Sequence, residues 1–228
     1  MISIVYSTHK DEQYNNKFKQ HLLDTVGLKD VQLLEYLNYN QFSLTEVYNK
    51  GLNDSKYDIV IFCHNDIIFE QKYWGKRILE HFTKKPEYGI LGVAGTTYYP
   101  ESGRWWDIQG EMVGQVYHQH NGRKWLSEYN KPFGSRIIDS VIVDGVLFSV
   151  KKTNLKTNFD ESFKGFHFYD TSFCMSNFIQ GVKIGTISNV PLTHLSIGMT
   201  NDEWEKNRIQ FVEKFKENLP IKLESQYP

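Results

Sequence analysis

Residues 57–70, YDIVIFCHNDIIFE, constrain this chain more than any other stretch. They read as one apolar strand interrupted by His64, Asn65 and Asp66. A nearly continuous apolar strand is buried on both faces, as in a parallel sheet covered by helices. The polar triplet is then either a turn with a capping Asp or the end of a sheet that holds chemistry, and from the triplet alone both accounts stand.

The segments before and after it supply the rest of the sheet. Residues 2–7, ISIVYS, form a β-branched strand, and a polar segment of helical spacing follows and stops at Gly27. VQLLEYL is a second strand, and the next helix opens on the capping-box pair Ser43 and Glu46 with a stop expected near Gly51. After YDIVIFCH come a helical segment, KYWGKRILEHFTKK, and a fourth strand, YGILGVAG. Strands alternating with helices over the first 95 residues predict an open α/β sheet, because parallel neighbours need crossover connections. Ligands bind at the carboxyl ends of such strands, which is where the triplet falls.

Residues 96–136 are rich in Gly, Trp and Tyr with no sustained helical period, and are expected to form a loop and hairpin region across the sheet. Strand character resumes in RIIDSVIVDGVLFSVKK, where Asp144 and Gly145 interrupt the apolar run as Asp66 does. A helix ending at Gly181, the strand VKIGTIS and the segment PLTHLSIG follow. The last helix carries a second capping-box pair, Thr200 and Glu203, with Trp204, Ile209, Phe211, Val212 and Phe215 expected on one apolar face.

Composition narrows the function classes. The formal net charge is −1 with no basic block, so nothing marks a nucleic acid or anionic membrane partner. No stretch approaches the roughly 20 apolar residues of a membrane span, and MISIVYSTHK lacks a basic leader and a signal-type apolar region. Cys63 and Cys174 have no metal-type spacing and read as buried reduced thiols, which suits a cytoplasmic protein, at most peripheral at the inner face of the membrane. Aromatic residues make up 15%, enough to build a dense core or flat walls on which sugars and bases stack. The chain lacks GxGxxG after its first strand, a Walker-type Gly-Lys-Ser/Thr, HExxH and GxSxG, which argues against dinucleotide oxidoreductases, P-loop enzymes and α/β-hydrolases.

Three places hold candidate chemistry. Asp66 ends a buried strand, where a carboxylate can bind a hard divalent cation, and His64 points to the same side as a further ligand. Asp170 opens a helix behind the aromatic cluster Phe166, His167, Phe168 and Tyr169. That cluster could be core with Asp170 a capping residue, or it could desolvate the carboxylate and raise its pKa toward that of a general base. His194 leaves a strand beside Ser196, where a satisfied half-buried histidine is the simpler account. Trp105 and Trp106 are adjacent, so in a strand they face opposite ways, one into the core and one toward a cleft.

In this order the segments SIVYST, YDIVIFCHNDIIF, VDGVLFSVKK, FDESFKGFHFYDTSF, GVKIG and THLSIG resemble the GT-A fold glycosyltransferases, and within them the inverting family 2-like enzymes of bacterial polysaccharide synthesis. The resemblance spans residues 2–198 and is weakest over residues 96–136. It implies one domain with an open, mostly parallel central sheet flanked by helices and a smaller hairpin region. Residues 1–95 would be the nucleotide-binding half, 96–198 the acceptor-binding and catalytic half, and 199–228 a C-terminal helix and tail.

The same resemblance assigns roles. His64, Asn65 and Asp66 stand at the DxD position, with the first acid replaced by His64, so Asp66, His64 and His194 are the implied ligands of Mn2+ or Mg2+. Tyr169 and Asp170 stand at a Glu-Asp pair whose Asp is the catalytic base; the Glu is lost. Ser7, Thr8, His9, Asn38, Asn65 and Asp66 are implied for the nucleotide, and Trp105, Trp106, Asp144, Gly145 and His167 for the acceptor. The implied activity is transfer from a nucleotide-diphospho-sugar to a hydroxyl of a glycan, lipid-linked or protein-linked acceptor, with inversion, in a chain that admits a homodimer. Departures at His64, Asn38 and Tyr169 leave room for a catalytically inactive carbohydrate-binding or scaffold module. A nucleotidyltransferase is a third reading, weakened by the lack of a Gly- and Arg-rich phosphate loop.

Overall fold

The computed structural model describes residues 1–129, 134 and 136–223. The first part of the chain alternates as expected: β1 (Ile2–Thr8), α1 (Glu12–Val26), β2 (Val31–Leu37), α2 (Leu44–Asp54), β3 (Ile59–Cys63), β4 (Ile67–Phe69), α3 (Trp74–Lys84) and β5 (Tyr88–Gly92). Next come β6 (Ala94–Thr96), β7 (Tyr98–Tyr99), β8 (Met112–His120), β9 (Arg123–Glu128), β10 (Ile137–Asp139), β11 (Ile142–Val143) and β12 (Leu147–Lys151). The remainder is α4 (Tyr169–Phe178), β13 (Lys183–Ile187), β14 (Leu192–His194), α5 (Asp202–Phe215) and β15 (Ile221–Lys222). The end of the expected hairpin region, residues 130–133 and 135, and of the tail, 224–228, lie outside the described residues.

The central sheet has the order β10-β13-β5-β12-β3-β1-β2. Strand β1 pairs in parallel with both β2 and β3, and β13 in parallel with β5. Strand β12 inserts antiparallel between β3 and β5, and β10 is antiparallel at the edge. All of β3 is buried, because its side chains alternate into two cores. Val60 and Phe62 join Val5, Phe148 and residues of α2, α4 and α5 on one face. Ile59, Ile61 and Cys63 join Ile4, Tyr6 and residues of α1 and α3 on the other. A second sheet, β11-β6-β8-β14-β4, lies beyond the strand ends, with β9 paired to β8.

This topology explains the broken apolar run. Strand β3 ends at Cys63 in the central sheet, and β4 starts at Ile67 in the second sheet, paired with β14. His64, Asn65 and Asp66 are the crossing between sheets. The single strand expected over YGILGVAG divides in the same way into β5 and β6. A hairpin does occupy the aromatic region: Asn121 and Gly122, at φ 49° and 74°, turn β8 into β9.

Several local expectations hold and others are corrected. Gly27 ends α1 in the left-handed conformation and the Ser43–Glu46 capping box forms, while the Asp11 side chain, for which nothing was expected, caps α1. The stop expected near Gly51 comes later, because α2 continues to Asp54. Gly51 serves packing instead: a Cβ there would come within 2.5 Å of Val5 Cγ1. The last helix is capped by Asn201, whose side chain accepts from Trp204 N, rather than by Thr200. Ile209, expected in its apolar face, is 57% exposed, whereas Trp204, Phe211 and Phe215 are buried. Cys63 and Cys174 are free and buried. Among the described residues no helix is long and apolar enough to cross a membrane.

Candidate active site

The loops that follow β1, β2 and β3 leave one edge of the sheet and are tied together by polar contacts. Asn65 Nδ2 donates to Thr8 Oγ1 at 2.6 Å, Thr8 Oγ1 donates to Asn15 Oδ1 at 2.9 Å, and Asn38 N donates to Thr8 O at 2.7 Å. Tyr14, which carried no signal in the sequence, donates its hydroxyl to Asn65 O at 3.0 Å. Ser7, Thr8, His9, Asn38, Asn65 and Asp66 all line the cleft that results, with Lys10 and Tyr48. Asn38 is 2% exposed and its amide is engaged by its own loop, donating to Phe42 O and accepting from Gln41 N and Phe42 N. It shapes the wall of that cleft from within the loop.

The antiparallel neighbours bring distant segments to the same edge. Because β12 pairs with β3 through Leu147 opposite Cys63, the Asp144–Val146 turn lies beside His64, whose backbone N donates to Val146 O at 3.1 Å. Because β14 pairs with β4 through His194 opposite Ile67, His194 lies beside Asp66. His64, Asp66 and His194 each present one ligand atom, all within 4.8 Å of one another. His194 Nε2 is 3.3 Å from Asp66 Oδ1 and 3.2 Å from His64 Nδ1, and Ser196 Oγ lies 3.0 Å from His194 Nε2.

The charge states suit a cation. Burial pushes the Asp66 carboxyl upward, but the hydrogen bond with His194 and the two nearby imidazoles outweigh it and hold it well below the usual carboxylate range. Burial and the neighbouring His194 lower the pKa of His64, against the opposing pull of Asp66 and Asp144, which favours a neutral imidazole with a lone pair to offer.

On the other side of His64 is a second, aromatic cavity. Trp105, Trp106, Asp144, Gly145, His167 and Asp170 line it, as do His64 and His194. Asp170 sits in the first turn of α4, with Oδ2 accepting from Gly145 N at 2.6 Å and Oδ1 from Thr171 N at 2.8 Å. Burial first, and the Asp144 carboxylate second, push its pKa up to about 7 despite those two amides. Asp144 Oδ1 accepts from Val146 N at 2.8 Å.

The tryptophan pair divides as expected but on a 3-10 turn, residues 105–107, rather than a strand: Trp105 is 8% exposed and Trp106 38%. Trp204 from α5, which the sequence reading assigned only to core packing, also lines the cavity, 5.5 Å from Trp106 between ring centroids. His118 was missed. Its ring stacks on Trp125 and lies 5.9 Å from that of His194, and its Nδ1 is buried with no hydrogen-bond partner among the described residues. Nothing local in residues 112–120 marks it, because only the pairing of β8 with β14 brings it to His194.

Two solved structures that share this chain path are glycosyltransferases. GalNAc-T7, solved with UDP, GalNAc and Mn2+, superposes with a TM-score of 0.63 at 8% identity over 93% of this chain and 47% of its own. A mannosyltransferase from Pyrobaculum calidifontis, solved with GDP-Man and Mn2+, gives 0.53 at 10% identity over 92% of this chain and 61% of its own. The chain thus spans between about half and three fifths of those proteins, and at such identities the likeness establishes the fold, GT-A. No curated protein sequence matches it significantly. The profile of the Glycosyltransferase like family matches residues 4–215, and the chain belongs to that family.

Proposed function

We propose that this chain transfers a sugar from a nucleotide-diphospho-sugar to an acceptor hydroxyl, with inversion at the anomeric carbon and with the help of a divalent cation. The observation that carries this reading is the cluster of His64, Asp66 and His194 lying between a polar cleft at the strand ends and an aromatic cavity that contains Asp170.

The donor set fits a cation. Two imidazole nitrogens and one carboxylate suit Mn2+ better than Mg2+, which prefers oxygen ligands in near-ideal octahedral geometry. His64, Asp66 and His194 would hold it, and when bound it supplies positive charge to the departing nucleoside diphosphate.

The chain's own residues do the rest. Ser7, Thr8, His9 and Asn65 bind the nucleotide, and Asn38 holds the loop that walls its cleft. Asp170 removes the proton of the acceptor hydroxyl while that oxygen bonds to the anomeric carbon and the bond to the diphosphate oxygen breaks on the opposite face. One such displacement inverts the configuration. A base with a pKa near neutrality is suited to this step, and desolvation of Asp170 supplies that pKa. Trp106 and Trp204 offer flat surfaces for a sugar ring of the acceptor, with Asp144 and His167 as polar contacts. Residues 1–95 thus serve the nucleotide and 96–198 the acceptor, in a cytoplasmic protein whose two thiols stay reduced.

Calorimetric titration with UDP-, GDP- and dTDP-sugars in the presence of Mn2+ tests the reading. Binding of at least one donor that depends on Mn2+, and transfer giving the opposite anomer by NMR, is expected. Binding of none of them, or binding indifferent to Mn2+, rejects it.

A further inference from the structure

The two ring nitrogens of His64 face different partners. Nδ1 is 3.2 Å from His194 Nε2 and 3.8 Å from Asp66 Oδ1, within the candidate cation cluster, while Nε2 is 2.8 Å from the Tyr169 hydroxyl. A neutral imidazole carries one N–H and one lone pair. His64 can therefore ligate through Nδ1 only as the Nε2–H tautomer, and the Tyr169 oxygen is the acceptor that this tautomer needs.

Tyr169 is itself held firmly in place. It is 4% exposed and its ring meets that of Tyr48 edge-on, with centroids 5.4 Å apart. Its hydroxyl can reach His64 because residue 145 is glycine: a Cβ on Gly145 would lie 2.0 Å from the hydroxyl oxygen. His64 and Tyr169 are also two of the positions at which the sequence departs from the glycosyltransferase pattern, and the fold puts these two in contact.

We propose that Tyr169 is a positioning residue for cation binding. Its hydroxyl accepts from Nε2–H of His64 and turns the Nδ1 lone pair toward Asp66 and His194, so that His64 and Tyr169 act as one unit. The proposal rests on the cation reading above.

The test measures Mn2+ binding by loss of the free-ion EPR signal in the wild type, Tyr169→Phe, His64→Ala and the double variant, with thermal unfolding as a control for folding. The wild type is expected to bind Mn2+, and Tyr169→Phe to bind it roughly ten- to a hundredfold more weakly. In the His64→Ala background, Tyr169→Phe should change nothing further. Equal affinity of wild type and Tyr169→Phe overturns the proposal, and so does an undiminished loss in the His64→Ala background, which marks a structural role alone. Histidine 15N spectra of the Zn2+-loaded wild type give an answer without any variant: the Nε2–H tautomer of His64 supports the proposal and the Nδ1–H tautomer overturns it. A wild type that binds no Mn2+ rejects the cation reading itself, and this proposal with it.

Discussion

His194 Nε2 lies 3.3 Å from Asp66 Oδ1 because strand register sets it there. His194 is opposite Ile67 in the β14–β4 pairing, and Leu195 N donates to Asp66 O at 2.9 Å, so the backbone fixes both side chains at the sheet edge. Replacing His194 by alanine should therefore leave the backbone pairing intact while removing one of the three proposed cation ligands. Mn2+ affinity measured by calorimetry should fall by roughly tenfold or more, at least the loss seen for outer partners of a metal site.

Asp170 should set the acidic limb of the pH–rate profile. With its pKa at about 7, the base form is depleted below neutrality, so turnover should rise as pH passes through about 7 and level off above it. Asp170→Asn should cost about a hundredfold to ten-thousandfold in turnover and abolish that limb. A loss of only a few fold in a folded variant sinks the assignment.

The same carboxylate should cost stability at neutral pH. Its folded pKa is raised above the unfolded value of 3.8, so between those values the folded state binds more protons and stability falls as pH rises. Relative to Asp170→Asn, the wild type should lose up to about 4 kcal/mol between pH 4 and pH 8, reduced by whatever solvent reaches this partly exposed group. Urea unfolding of both proteins across that range measures the difference.

Gly51 tests the packing of α2 on β1. Alanine there gains about 1 kcal/mol of helix propensity. It also drives a Cβ to 2.5 Å from Val5 Cγ1 and 3.1 Å from Cγ2, on a stiff β-branched neighbour. Overpacking of this kind costs about 1–3 kcal/mol, so Gly51→Ala should lower the melting temperature overall. Adding Val5→Ala should relieve the clash, which a double-mutant cycle would register as a favourable coupling.

Trp105 and Trp106 should separate stability from substrate binding. Trp105 is buried beside Tyr129, and its replacement by alanine should cost about 3–5 kcal/mol in unfolding experiments. Trp106 is partly exposed in the aromatic cavity, so Trp106→Ala should leave stability within about 1 kcal/mol and raise KM for the acceptor, with KM for the donor unchanged.

Much of this fold can be read locally, because its causes are local. The capping box at Ser43 and Glu46 and the end of α1 at Gly27 each depend on a few neighbouring residues. Asp66 and Asp170 likewise stand out as acids at a strand end and a helix start. Local reading failed where a neighbour far along the chain decided the outcome. Gly51 looks like a helix stop until Val5 presses on it, and Ile209 looks like core until the packing of α5 turns it outward.

The site belongs largely to that second kind. The contact of His194 with Asp66 needs the register of β14 on β4, and the Asp144–Val146 turn meets His64 only because β12 enters the sheet antiparallel. His64 meets Tyr169 through the docking of α4 against the sheet, with Gly145 leaving space for the hydroxyl. Pairing and docking of this sort sum many small packing and hydrogen-bond contributions over the whole chain, so no short segment carries them. The chain's own pattern led to an α/β sheet with an acid at a strand end. The packed structure made from that acid a centre of two histidines and a carboxylate, with a tyrosine behind one of them.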